Sequence, residues 1–505
     1  MQTRRDRTSL DCVAVVAAFA TVLLSASGAQ AIVKIGSAAT ANMSCANGVC
    51  EPTAKDAVLN VSDLENLLAS GNATVTTTGA GVQANDIHIK AGVSWSNGSV
   101  LTLDAYRSIT VWRPISVAGL AGMTLKTDDG GSGGLLSFAG RGKIVFQNLS
   151  SVLAINGTRY RLENDLKQLA YDVAAHSDRS FALAQDYDAQ GDGVYPDSPI
   201  PSPFLGSFTG LGNSITDLVV VNDSDGANVG LFAKLKKKGT ISNISLKNAI
   251  IRQTNLNCYI GGIAGTSAGL IENSFVSGRI WGGDACTVGG VAGLNLGAIV
   301  DGHSAGLARG VVNQVGGLVG LNQGKISSSS SSDKVIEGSD SGEVGGLVGD
   351  NYGGRIKTSF STGQVIARNE FIATGGFVGQ NSGIVMNCYA LGSVLRGSTV
   401  GGFVGLNDTG GQIRNSYSTG KVPARSGTVG GFAGTENGAA KSDYWDTTTS
   451  GTDVGVGSGL SSGVLGLTTE QFQSGLPAGF DPAMWAEDPN INSGFPYLRT
   501  NPPPK

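Results

Sequence analysis

The chain has 505 residues, 77 of them glycine, with 15% charged residues, 40% hydrophobic residues and a formal net charge of -4. That length exceeds one ordinary compact domain, and the apolar content is too high for a long disordered chain. The glycine lacks a period of three, which excludes collagen, and the one notable basic run, Lys236-Lys237-Lys238, is too short for a nucleic-acid footprint.

The first segment reads as an address. Arg4, Arg5 and Arg7 precede an apolar stretch, Val13 to Leu24, and the small-x-small sequence Ala29-Gln30-Ala31 follows. This pattern predicts an export signal over 1–31 cut after Ala31. No other segment is apolar enough to cross a bilayer, so the mature chain is expected outside the cytoplasm, where disulfides persist. Residues 32–60 form a leader in which Cys45 and Cys50 enclose a short loop suited to a local disulfide.

Residues 61–160 read as irregular β-coils opened by a capped helix. Val61 to Ser70 places Leu64, Leu67 and Leu68 on one face. Alternating runs such as Asp86-Ile87-His88-Ile89-Lys90 and Ser108-Ile109-Thr110-Val111 follow, separated by glycine-rich turns. Residues 161–185 carry helical spacing at Leu166, Leu169, Ala170 and Val173 and predict a small helical insertion. Strand patterning resumes over 186–260, through Phe204, Phe208, Leu211 and Ile215.

Residues 261–441 hold the decisive pattern. Gly261-Gly262-Ile263-Ala264-Gly265 recurs from Gly289, Gly316, Gly345, Gly375, Gly401 and Gly430, at intervals of 28, 27, 29, 30, 26 and 29 residues. An aliphatic position (Ile271, Ile299, Ile326, Ile356, Val385, Ile413) precedes a usually aromatic one (Phe275, His303, Ser330, Phe360, Tyr389, Tyr417) by four residues. Each unit is too short to satisfy its backbone alone. Stacking unit on unit, about 4.8 Å apart, satisfies it and turns matching residues into columns. Asn295, Asn322, Asn351, Asn381 and Asn407 would then form an amide ladder, and the glycine pairs would supply corners with positive φ. Cys258 and Cys286 occupy one register in consecutive units, which predicts a disulfide, while Cys388 is left as a lone thiol in the wall. Residues 442–505 concentrate Tyr444, Trp445, Phe472, Phe480, Trp485, Phe495 and Tyr497, and predict an aromatic cap and tail with a short helix near Thr469.

The units written Gly-Gly-Phe-Val-Gly-Leu-Asn, followed by Ile413-Arg-Asn-Ser-Tyr-Ser-Thr-Gly420, resemble GLUG-motif repeats. The stretches from Leu67, Ser94-Trp95-Ser96-Asn97 and Leu101-Thr-Leu-Asp-Ala resemble filamentous-haemagglutinin-like proteins. The resemblance implies a right-handed parallel β-helix and a large exported, adhesin-like protein of Gram-negative bacteria.

Catalytic signals are weak. Gly302-His303-Ser304-Ala305-Gly306 matches a nucleophile elbow, but Ser304 shares the register of Val276 and Ser361, and no histidine follows it; the other two are His88 and His176. No pair of histidines suggests zinc. Asp186, Asp188 and Asp192 have the composition of a calcium loop without its bidentate Glu, and a solvated turn is the expectation. Asp284, Asp301, Asp350, Asp408 and Glu436 fall in different registers. The expectation is therefore an all-β solenoid without catalytic residues, metal or cofactor, displaying a repetitive face to host-cell, matrix or glycan ligands. A β-helix polysaccharide lyase or glycosidase, and a passive envelope or matrix protein, are the alternatives.

Overall fold

The computed structural model describes residues 31–338, 342–368, 372–423 and 427–503. Residues 1–30, on which the expected export signal falls, lie outside the described residues. The chain is an all-β solenoid of about 14 turns with three α-helices among the described residues.

Each coil runs through three strands, and each strand pairs in parallel with its copies one coil before and after. Near the start, Ile32–Gly36, Asp86–Ile89, Ile109–Val111 and Leu136–Phe138 belong to one face, and Val93–Trp95, Ile115–Val117 and Ile144–Phe146 to a second. Val100–Asp104, Gly122–Lys126 and Val152–Ile155 make the third. Helix α1 (Val61–Ser70) begins at Asn60, whose side chain accepts from the Ser62 amide at 2.8 Å, and it buries Leu64 and Leu68.

Parallel stacking is broken once in the middle. Thr158–Glu163 folds back antiparallel on Val152–Ile155, and helix α2 (Leu166–Ala175) follows. Asp165 caps α2 by accepting from the Gln168 amide, and Leu166, Leu169 and Val173 turn into the core. The two halves of the rod are joined by buried Asn213, whose amide bonds the Ile144 and Leu183 carbonyls at 2.9 and 3.1 Å.

The repeats stack in the expected register. Ile271, Ile299, Ile326, Ile356, Val385 and Ile413 are successive partners, all fully buried. Phe377, Phe403 and Phe432 stack at ring distances of 4.8 and 4.9 Å, the spacing of the coils themselves. Asn295 to Asn322, Asn322 to Asn351, Asn351 to Asn381 and Asn381 to Asn407 are each joined by a 2.7 Å amide hydrogen bond. Cys258 and Cys286 are bridged, as are Cys45 and Cys50.

One reading of the corners is corrected. The paired glycines are not the positive-φ residues. They are needed because the backbone passes too close: a Cβ on Gly289 would lie 2.1 Å from the Ala292 carbonyl oxygen, and one on Gly316 1.9 Å from that of Val319. The left-handed corner is instead a separate column, Asn243, Asn273, Asp301, Ser328, Thr358, Asn387, Asn415 and Ser442, with φ between 44 and 55°. Asn tolerates this conformation best of the side-chain-bearing residues, which explains its recurrence there.

The aromatic tail closes the last coil and then continues. Val456–Gly459 and Val464–Leu467 add to the stack, and helix α3 (Thr469–Phe472) starts with a reciprocal cap between Thr468 and Gln471. The chain then runs back along the flank. Tyr444 donates to the Ala478 carbonyl at 2.8 Å and Tyr417 to that of Pro496 at 2.6 Å, and the Asn501 amide reaches the carbonyls of Thr358 and Ser329. No helix among the described residues is long and apolar enough to cross a membrane.

Candidate ligand-binding groove

In a β-strand alternate side chains face outwards, so one outward register becomes a continuous stripe once coils stack. Phe275, His303, Ser330, Phe360, Tyr389, Tyr417 and Tyr444 form such a stripe. The rings of Phe360 and Tyr389 stack at 4.8 Å, and those of Tyr389 and Tyr417 at 5.3 Å. Phe360, Tyr389, Tyr417 and Tyr444 are covered by the chain's own tail, where Phe472, Phe480, Trp485 and Leu498 pack on them. Phe275, His303 and Ser330 remain half-exposed.

These three open onto a cavity of about 390 Å³, bounded by Asp301 and Phe360 and at its far end by Asn501 and Pro502 of the tail. Asp301 also lines a second cavity of about 240 Å³, with Tyr160, Asn243, Glu272 and Asn273. Asp301 is common to the two linings, and together they make the candidate groove. Partial burial raises the Glu272 carboxyl above the usual carboxylate range, and burial together with the charge of Glu272 raises the Tyr160 phenol.

The His303 ring is held at both nitrogens. Nε2 lies 2.9 Å from Asp301 Oδ1 and Nδ1 lies 2.8 Å from Ser330 Oγ. A carboxylate only accepts, so Nε2 carries a proton; in the neutral ring Nδ1 then accepts from the Ser330 hydroxyl. The sequence reading missed this chain. Its signal was present, because Asp301 lies two residues before His303 and Ser330 follows His303 in register.

Ser304 points the other way, into the wall, and donates to the Gly317 carbonyl at 2.9 Å. Ser361 and Ser418 do the same to Gly376 and Gly431 at 2.7 Å. The elbow-like motif is thus a repeated peg under the glycine corner. Asp333, beside Ser304 and Ser331, is pushed up to about 7 by burial. Cys388 is buried, donates to the Met386 carbonyl, and has its thiol pushed up to about 12 by burial.

Asp186, Asp188 and Asp192 diverge. Asp186 pairs with Lys143 at 2.6 Å, Asp188 caps the short helix Ala189–Asp192, and Asp192 accepts from the hydroxyls of Tyr187 and Tyr195. Among the described residues no three His, Cys, Asp or Glu side chains converge as a metal site.

A family model described as the GLUG motif matches residues 372–395 and 396–422. The chain carries GLUG repeats. Halomucin of Haloquadratum walsbyi is 34% identical over 152 residues, covering 27% of this chain. The chain spans about 2% of the length of that relative. A crystal structure described as a "putative immunoglobulin A1 protease" from Bacteroides ovatus aligns with a TM-score of 0.37 and 16% identity, over 68% of this chain and 93% of that one.

Proposed function

We propose that this is an exported or surface-displayed, adhesin-like solenoid that binds glycans of host cells or extracellular matrix through the groove at Phe275, His303 and Asp301. The observation that carries the reading is the unequal treatment of one aromatic stripe. Its last four members are sealed by the tail, and its first three are left open beside carboxylates and amides. An aromatic ring takes the apolar face of a pyranose, while Asp301, His303, Asn273 and Glu272 offer acceptors and donors to its hydroxyls. Two disulfides agree with a chain that works in an oxidising compartment. The sequence resemblance to filamentous-haemagglutinin-like proteins points the same way. Several copies displayed together would raise a weak single-site affinity through valency.

The test is a glycan and cell-binding array with purified residues 31–505, run beside a polysaccharide-degradation assay. Binding that falls at least tenfold in Phe275→Ala and Asp301→Asn supports the reading. Binding that is absent, or untouched in both variants, rejects it.

One observation favours a second reading, hydrolysis. Asp301, His303 and Ser330 are hydrogen-bonded in line at the mouth of a cavity, as a nucleophile and base would be. Labelling of the protein by a fluorophosphonate probe, lost in Ser330→Ala and kept in Ser304→Ala, would favour it; no labelling would dismiss it.

A further inference from the structure

A second outward column lies six residues beyond the aromatic one, past the bend at Gly278 and Gly306. In most coils it is aliphatic: Val221, then Ile336, Ile366 and Leu395. Between Val221 and Ile336 it reads Arg252, Trp281, Arg309, three direct register partners on adjoining coils. Arg279 projects from the same strand face as Trp281, two residues before it. Arg252, Arg279 and Arg309 are exposed, and none of the three makes an ion pair or side-chain hydrogen bond among the described residues.

The column lines a cavity of about 390 Å³, walled by Gln253, Gly282 and Gly283, with Asp284 at its rim. Gly282 to Cys286 belongs to one loop and Thr254 to Cys258 to the loop one coil earlier, which follows directly on Gln253, and the Cys258–Cys286 disulfide ties them together. The wall is thereby fixed in place before any ligand arrives. The Trp281 indole N–H has no acceptor among the described residues, so turning the ring toward a ligand breaks no hydrogen bond with them.

We propose that Arg252, Trp281 and Arg309 form a binding site for an anionic polysaccharide. The indole takes the face of a sugar ring, and the two guanidiniums take the acidic groups on either side. Two coil spacings separate Arg252 from Arg309, about 10 Å along the rod, close to the length of a disaccharide. Guanidinium binds carboxylate and sulfate alike through paired N–H groups, so both anions fit this chemistry. The site is independent of the groove at Phe275.

Affinity electrophoresis of residues 31–505 against alginate, dextran sulfate and neutral dextran tests the assignment. Retardation by alginate or dextran sulfate but not by dextran is expected, and which polymer acts identifies the anion. Arg252→Gln with Arg309→Gln should weaken it at least tenfold, as should Trp281→Ala, while Phe275→Ala should leave it unchanged. Arg252→Lys with Arg309→Lys keeps the charge and removes the forked geometry, and should give an intermediate loss in a fold that circular dichroism shows to be intact. Equal retardation of the Phe275→Ala variant by neutral dextran, no retardation by either acidic polymer, or full retention in the double Gln variant would overturn the proposal.

Discussion

Asn407 donates its side-chain amide to Glu436 at 2.6 Å, and this bond ends the buried amide ladder on a carboxyl group. Glu436 Oε1 also accepts from the Gly438 amide, while Oε2 has no partner among the described residues. Burial pushes this carboxyl up from 4.5 to about 7. The folded state therefore holds its proton more tightly than the unfolded chain does. The stabilisation is complete below the unfolded value and is lost as pH rises from about 4.5 through about 7. Glu436→Gln keeps an acceptor for Asn407 and cannot ionise. It should raise stability at pH 8 by roughly 1–3 kcal/mol and leave it unchanged at pH 4, as read by denaturant titration at both values. Equal effects at the two pH values would contradict this account.

Asn351 stands in the middle of the ladder, receiving from Asn322 and donating to Asn381. Asn351→Ala removes both ladder bonds, leaving the Asn322 amide only the Gly324 carbonyl and Asn381 Oδ1 only the Gly383 amide, a loss of about 1–3 kcal/mol. Solenoid coils interact with their nearest neighbours, so the damage should be local. Hydrogen exchange should quicken in the strands Val319–Asn322, Val348–Asn351 and Val378–Asn381 and stay near its original rate around Ile87.

Trp485 is fully buried against Tyr389, Tyr417 and Phe480 and is the largest side chain holding the tail to the flank. Trp485→Ala should cost about 3–5 kcal/mol of tail docking. Limited proteolysis should then cut within 473–503 at enzyme concentrations that leave the parent intact. Resistance equal to the parent's would show that the tail does not depend on this anchor.

Ser304→Ala removes one hydroxyl bond to the Gly317 carbonyl at a register where another coil already carries Ala390. A loss of about 1 kcal/mol in thermal or denaturant unfolding is expected. A loss above about 3 kcal/mol would show that this peg does more than support a corner.

Periodicity is what made the repeats legible. Cys258 and Cys286, the Asn ladder and the Ile column all follow from a single statement, that equal positions stack. The path of the tail followed from nothing periodic: Tyr417 meets Pro496 and Asn501 meets Ser329 once each, across long separations. The glycine pairs were misjudged because composition cannot separate two demands on glycine, room for a neighbour and a left-handed φ. Asp301, His303 and Ser330 were each visible, as were Arg252, Trp281 and Arg309. Reading them as sites needed the direction of each side chain, which the stacked strands supply and the repeat alignment alone does not.

The returning tail also constrains how this rod can grow. Its anchors at Tyr444, Tyr417, Asn387 and Ser329 are spaced in whole coils. Duplicating or deleting a unit between Ser329 and Tyr444 would put every later anchor out of step, whereas a unit gained between Gly261 and Gly316 would leave the fastening intact. Variation in repeat number among kindred chains should therefore accumulate on the early side of this fastening, where both proposed binding sites lie.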